Sequence, residues 1–425
     1  MRVAIVAPGS LGNVVPYMAL ALGLRDAGMD PVVATHPEFR DTVEGRGLEF
    51  APIGGEGLFD DDRVKDLQAS GRNPIALVRR SRAVFDAHWE EQADDTLVAC
   101  EDADALVFNA LGHVAFHIAE KRRIPAVGAL YLPGSRTREF PHPLVAPGAR
   151  SLGAAGNAAT YRLGEQMMWQ LVRKPVQRWR TQTLGLEPLP ASGLLRMVER
   201  ERLPILYGFS PAVVPRPADW RDGLMVTGYW FLDAPEDWTP PADLAAFLDA
   251  GPPPVYLGFG SSPIGDPEAT YALVREALRR AGARGIVAGE WSTGMPGAGE
   301  DGDVFLLPGF VPFDWLFPRT AAVVHHGGCG TTHEGLRAGC PSILLPSYPD
   351  QFFFGRRVRA LGAGPAPIKK GDLTADALAR ALETALGDSA MRARAGELGA
   401  RIREEEGVRN AVGYIESLLA QPVAA

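Results

Sequence analysis

Two stretches of this chain repeat one pattern, in which short runs of valine, isoleucine, leucine and alanine are each followed by a segment of helical periodicity. Residues 2–7, 31–35, 48–53, 105–108 and 125–130 read as strands. Residues 14–28 read as a helix with Val14, Met18 and Leu22 on one face, and 74–100, 113–122 and 158–180 as further helices. A short continuous apolar run suits a strand covered on both faces, which occurs in parallel sheets joined by helical crossovers. The expectation is therefore an α/β architecture. In such sheets the loops leaving the carboxyl ends of the strands form the binding crevice.

The pattern breaks where prolines cluster, at Pro211, Pro215, Pro217, Pro235, Pro240 and Pro241, around Gly228-Tyr-Trp-Phe. It then restarts, with strands at 255–259, 285–288, 304–307, 321–325 and 342–345 and helices at 268–281, 331–338 and 351–361. From Thr374 onward the chain reads as helical. A length of 425 residues accommodates two such units, since domains commonly run to ~100–200 residues. We expect a first domain over 1–215, a linker over 216–240 and a second domain over 241–404, with 405–425 a terminal helical segment.

Charge and cysteine usage narrow the function classes. Lys+Arg total 43 against Asp+Glu 51, a formal net charge of -8, so the chain is not built to wrap nucleic acid through bulk charge. The three cysteines, Cys100, Cys329 and Cys340, form no C-x-x-C pair and are too few for a disulfide framework. They read as reduced thiols of a cytosolic protein. No apolar run reaches the ~18 residues of a membrane span. The segment VAIVAP near the N-terminus is broken by Pro8, Gly9, Gly12 and Asn13, so it reads as a strand entering a loop rather than as a leader.

The densest chemical signal is VVHHGGCGTTHEGLRAGCPSILLPSYPDQ, residues 323–351. It reads as strand, glycine-rich turn, helix, strand and loop. Gly327, Gly328 and Gly330 let the backbone approach a ligand closely. The turn opens a helix N-terminus, whose free N–H groups suit phosphate. Other glycine loops fail on spacing. The sixth position counted from Gly328 is His333, so G-x-G-x-x-G is not met, and the chain has no Gly-Lys pair for a Walker loop. A G-x-S-x-G elbow and H-E-x-x-H are also absent.

This segment resembles the nucleotide-sugar-binding signature of family 1 glycosyltransferases of GT-B fold, most closely the bacterial natural-product (glycopeptide and macrolide) and sterol types. The resemblance extends to Gly309-Phe-Val-Pro-Phe, to Thr227-Gly-Tyr-Trp-Phe and to Gly9-Ser-Leu-Gly-Asn-Val-Val-Pro. It implies two Rossmann-like parallel-sheet domains facing across a cleft, with the terminal helix returning to the N-terminal domain. It implies inverting, metal-independent transfer from a UDP- or dTDP-sugar co-substrate to a small natural-product hydroxyl, with no further cofactor and a monomer or homodimer. Carried over residue by residue, His326 meets the diphosphate, and Gly328, Gly330 and Thr331 cradle it. Asp350 and Gln351 bond the sugar hydroxyls. Phe310 and Val311 hold the nucleobase, Ser261 and Ser262 touch phosphate or ribose, and Glu334 contacts the ribose.

The N-terminal block departs from the family pattern. The resemblance places a catalytic His or Asp three residues before Pro16, and here that position is Asn13. An amide has no useful basicity. Three readings stay open: another base, for which His113 in Asn109-Ala-Leu-Gly-His is the candidate; an acceptor acidic enough to need little help; or a sugar-nucleotide-binding partner protein without efficient transfer. The catalytic candidates are thus Asn13, Asn109 and His113. Phe85, Trp89, Tyr131, Met168 and Trp169 are candidates for an apolar acceptor pocket, although the same residue types also build cores.

Overall fold

The structure is a computed structural model that describes residues 1–54, 89–146, 149–190, 193, 203–259, 266–289, 295, 302–307 and 309–420. Its first sheet has seven parallel strands: β1 Arg2–Val6, β2 Asp30–Thr35, β3 Glu49–Pro52, β4 Ala105–Phe108, β5 Ala126–Leu130, β6 Ile205–Tyr207 and β7 Leu224–Val226. Their order is β3-β2-β1-β4-β5-β6-β7. The second sheet has five parallel strands: β8 Val255–Gly258, β9 Gly285–Ala288, β10 Val304–Leu307, β11 Ala322–His325 and β12 Ser342–Leu344. Their order is β10-β9-β8-β11-β12. Each sheet thus reverses direction once, between β1 and β4 and between β8 and β11. These are the topological switch points at which open α/β sheets bind ligands. The principal helices are α1 Leu11–Asp26, α2 Val114–Arg122, α3 Gly153–Gln182, α4 Pro267–Ala281, α5 Cys329–Arg337, α6 Pro349–Leu361, α7 Ala375–Gly387, α8 Ser389–Arg403 and α9 Gly407–Leu419.

Strand alternation divides the core of the first half. Val3 and Ile5 of β1 pack with Tyr17, Met18, Leu20 and Leu24 of α1 on one side of the sheet. Ala4 and Val6 face the other side with Trp89, Phe116, Trp169 and Trp179. The second half builds its own core from Val255, Leu257, Val324 and Ile343 against Tyr271 and Leu278 of α4 and Leu378 and Leu382 of α7.

The chain crosses between the halves twice. Helix α9 lies on α1, with Ala411, Val412 and Ile415 in the α1 core and Val408 pressed against Gly23. The two crossings touch at Gly228 and Gly407. A Cβ on Gly407 would stand 2.3 Å from the Tyr229 carbonyl oxygen. Gly228 has φ +98, a left-handed conformation that favours glycine. Asn410 fastens the junction by donating from Nδ2 to the Thr227 carbonyl at 2.9 Å.

Several details differ from the sequence expectation. Residues 216–240 are not a simple linker, because β7 pairs with β6 in the first sheet and Trp230 is fully buried in the first half's core. Both β6 and β7 are three-residue strands, too short to show a period. Helix α1 begins at Leu11 and accommodates Pro16, and α3 begins at Gly153, ahead of 158. Of the helix expected over 74–100, only 89–99 falls within the described residues and is helical.

Candidate functional site

The second switch point assembles most of the signature residues. Strand β11 ends at His325, and a three-residue turn leads to Cys329, the first residue of α5. Gly328 is the helix N-cap, and a Cβ on it would stand 2.6 Å from His326 Nε2, so the imidazole is folded over the start of α5. Burial lowers the His326 pKa. Its Nδ1 is buried and has no hydrogen-bond partner. Gly327 has φ +98, and a Cβ there would lie 3.2 Å from Gln351 Cβ. Only a glycine lets this turn press against the first turn of α6, which carries Asp350 and Gln351.

Each signature side chain has a defined state. Burial raises the Asp350 pKa, partly countered by hydrogen bonds to the backbone of Asp350 and Gln351. Gln351 Oε1 accepts from the N–H groups of Ser347 at 2.8 Å and Tyr348 at 3.0 Å, so the amide has its NH₂ end left to offer a ligand. Thr331 stands half-buried in the first turn of α5. Phe310 exposes 68% of its surface and meets Phe313 edge-on at 5.5 Å, while Val311 beside it is buried. An exposed ring next to buried backbone suits stacking of a flat base. Ser261 and Ser262 lie outside the described residues.

Two members of the block are turned toward the seam between the halves. Gly330 faces the crossing, since a Cβ there would be 3.0 Å from the Tyr229 hydroxyl. Glu334 is enclosed with Arg337, Asp233 and Asp314. Burial pushes its carboxyl up to about 8, countered by Arg337 and reinforced by the two neighbouring carboxylates. Its Oε2 is 3.8 Å from Arg337 and has no hydrogen-bond partner.

The first switch point holds Asn13, Asn109 and His113. Asn13 is the third residue of α1, and its Nδ2 lies 3.4 Å from Ser10 Oγ. Its side chain folds back on Gly9, whose φ of +132 and missing Cβ make room for it. Asn109 links two loops through its side-chain amide. Its Nδ2 donates to the Pro8 carbonyl at 2.8 Å and its Oδ1 accepts from Gly112 N–H at 2.8 Å. Both ends of the amide are engaged in tying the β4–α2 loop to the β1–α1 loop. His113 opens α2 with Nε2 buried and without a partner, while its ring bonds to the Ala110 backbone. Burial lowers it to about 4, so it is a neutral imidazole.

The acceptor candidates divide. Trp89 and Trp169 are core residues; Trp89 packs against Trp179 and lies 6.3 Å, ring to ring, from His113. Large aromatic rings are the natural filling of an α/β layer, which is why their spacing alone misleads. Tyr131 uses its hydroxyl on the Asn13 carbonyl at 2.9 Å. Met168 differs, because its neighbours one turn away, Gly164 and Val172, are buried while Met168 itself is 50% exposed. The inner face of α3 is therefore open at that point. Phe85 lies outside the described residues.

The seam itself was not anticipated. His333 stacks on Tyr229 at 4.7 Å, is within 2.9 Å of the Cys329 carbonyl through Nδ1, and accepts at Nε2 from Ser210 N–H at 3.4 Å. Ser210 Oγ in turn donates to Glu405 Oε1 at 2.6 Å. A histidine four residues into a helix carried no sign of a partner from the other half.

Comparisons with known proteins agree with this geometry. The profile of the Glycosyltransferase family 28 N-terminal domain matches residues 3–141, and that of the Erythromycin biosynthesis protein CIII-like C-terminal domain matches 301–409. A sterol 3-beta-glucosyltransferase of Emericella nidulans is 38% identical over 425 aligned residues, which cover 98% of this chain and 30% of that protein. The chain thus spans less than a third of the length of that relative. Among solved structures, the glycosyltransferase of kitacinnamycin superposes with a TM-score of 0.71 at 20% identity, covering 98% of each chain. The Streptomyces sp. SF2575 glycosyltransferase SsfS6, complexed with thymidine diphosphate, superposes with a TM-score of 0.65 at 19% identity, covering 98% of this chain and 99% of that one. With two switch points, this signature loop and these matches, the chain has the GT-B fold and carries an N-terminal and a C-terminal domain that match glycosyltransferase-type family profiles.

Proposed function

We propose that this chain transfers a sugar from a uridine or thymidine diphosphate carrier to a hydroxyl of an apolar small-molecule acceptor, with inversion at the anomeric carbon. One observation carries the reading: Gly327 packs on Gln351, so the start of α5, the His326 ring and the first turn of α6 converge on one place. The N–H groups of a helix N-terminus take up diphosphate charge, and a carboxylate with an adjacent amide matches the hydroxyls of a hexose. The acceptor oxygen attacks the anomeric carbon on the face opposite the diphosphate. The bond to the diphosphate oxygen breaks, and its electron pair leaves with that oxygen. The acceptor proton passes to His113 Nε2, the unpartnered nitrogen of a neutral imidazole, while Asn109 holds the loop that presents it.

The sterol 3-beta-glucosyltransferase relative directs the acceptor toward a sterol, and the opening at Met168 suits such an apolar body. The bound thymidine diphosphate of one structural neighbour supports a pyrimidine nucleotide. The test is turnover of UDP- and dTDP-hexoses with sterol and polyketide alcohols, the glycoside identified by mass spectrometry and its anomer by NMR. Absence of affinity for both UDP and dTDP in calorimetry would refute the reading. The amide at position 13 favours a second reading, a sugar-nucleotide-binding partner protein. Tight nucleotide binding without turnover of any acceptor would select it.

A further inference from the structure

The first half carries an exposed apolar stripe that sugar transfer leaves unused. Gly156, Leu163, Met167 and Lys174 of α3 follow one another at spacings of seven, four and seven residues, so they share one helical face. Leu152 lies over Gly156, where a Cβ would stand 2.8 Å from Leu152 Cβ, and extends the stripe past the helix start. Leu152 is 52% exposed, and Leu163 and Met167 are each 53% exposed. From Leu152 to Met167 the stripe runs about 20 Å at ~1.5 Å per residue. Tyr161, Val172, Val176 and Trp179 hold the helix to the core by the opposite face.

The charge beside this stripe runs against the rest of the chain. Residues 150–182 contain six basic side chains and one acid, Glu165, in a protein of net charge -8. Glu165 is already paired with Arg136. Arg178 pairs with Glu90, and buried Arg180 pairs with Glu120. Arg150, Arg162, Arg173 and Lys174 are exposed and form no ion pair among the described residues. Apolar side chains flanked by unpaired cations are the chemistry of a helix lying at a bilayer's headgroup boundary. Long, flexible cations without fixed acceptors match a diffuse anionic surface better than one shaped partner.

We infer that the outer face of α3 docks this protein on an anionic lipid bilayer, with Leu152, Leu163 and Met167 entering the headgroup boundary and Arg150, Arg162, Arg173 and Lys174 meeting lipid phosphates and carboxylates. The docking needs neither donor nor turnover, so it stands or falls apart from the transfer reading. Because the opening at Met168 is on the inner face of the same helix, docking would set the acceptor half of the molecule against the membrane.

The experiment is flotation of the full chain with phosphatidylcholine vesicles, plain or containing ~30 mol% phosphatidylserine, at about 0.1 M and about 0.5 M salt. The expected result is binding to the anionic vesicles only, weakened at least about tenfold by the higher salt and by Arg162→Glu with Lys174→Glu. Leu163→Gln with Met167→Gln is expected to abolish it, with nucleotide affinity unchanged as the control for folding. No flotation at low salt would overturn the proposal. Equal binding to neutral vesicles, or binding indifferent to the Leu163 and Met167 changes, would overturn it too. So would concentration-dependent dimerisation lost in the same variants without lipid binding, which would assign the face to a second copy.

Discussion

Replacing His113 with glutamine removes a proton acceptor while leaving a side chain of similar reach at the mouth of α2. Burial lowers His113 to about 4, against about 6.5 for an exposed imidazole. Keeping a charge there costs about 3 kcal/mol relative to water, so the ring is a neutral base throughout the working range. Losing general-base assistance lowers kcat by about 10²–10⁴. KM for the acceptor is expected to change little, because the packing around Trp89 is retained. The pH profile supplies a second reading: as a protonated base is inactive, kcat/KM rises with pH only up to the neighbourhood of 4 to 5 and is flat above. The assay is steady-state release of nucleoside diphosphate, coupled to glycoside detection, for both proteins between about pH 5 and pH 8. A kcat within about twofold of the parent would end the base assignment, and an inflection near pH ~6.5 would show that the ring is not held in a dry site.

Other expectations follow from the same geometry. Asn13→Asp in the His113→Gln background puts a carboxylate in the first turn of α1, where the helix N-terminus favours it, and is expected to restore kcat by about tenfold or more; no recovery would separate position 13 from the reacting oxygen. Gly327→Ala forces a side chain onto φ +98 and against Gln351; at about 1–3 kcal/mol of strain, calorimetry should show donor binding weakened about tenfold, and an unchanged Kd would contradict the packing argument. Burial holds His113, His142 and His333 at about 4 and His325 at about 3. The unfolded chain takes up those protons near pH ~6.5, so stability present above that pH is lost as pH falls toward 4, by up to about 1.4 kcal/mol per pH unit for each group. A urea midpoint constant between about pH 6.5 and about pH 4.5 would refute this.

The parallel α/β halves were legible because buried strands such as Arg2–Val6 and Val255–Gly258 carry no charged side chain after their first residues. The glycine-rich turn was legible because backbone geometry dictates its residues, with glycine required at φ +98 in Gly327 and a helix starting directly after Gly328. Acceptor residues were less so, since a tryptophan lining a pocket and one filling a core look alike in sequence. Trp89 and Trp169 are core, and Met168 is distinguished only by its exposure between two buried neighbours. The bridge that Asn109 makes between two loops was not legible, because it depends on the pairing of strands a hundred residues apart. The seam residues Ser210, Tyr229, His333 and Glu405 have no local pattern at all, as their partners are distant in the chain.

The touching glycines have a bearing on recombination of this chain with others of the same fold. Because the last helix belongs to the first half and the passage back runs across Gly228 through Gly407, the second half is an insert, not a tail. A hybrid that exchanges the second half while keeping the first would have to be spliced at two points, after the buried Trp230 and before Gly407. It would also need a glycine, or an equally small neighbour, on each strand of the crossover.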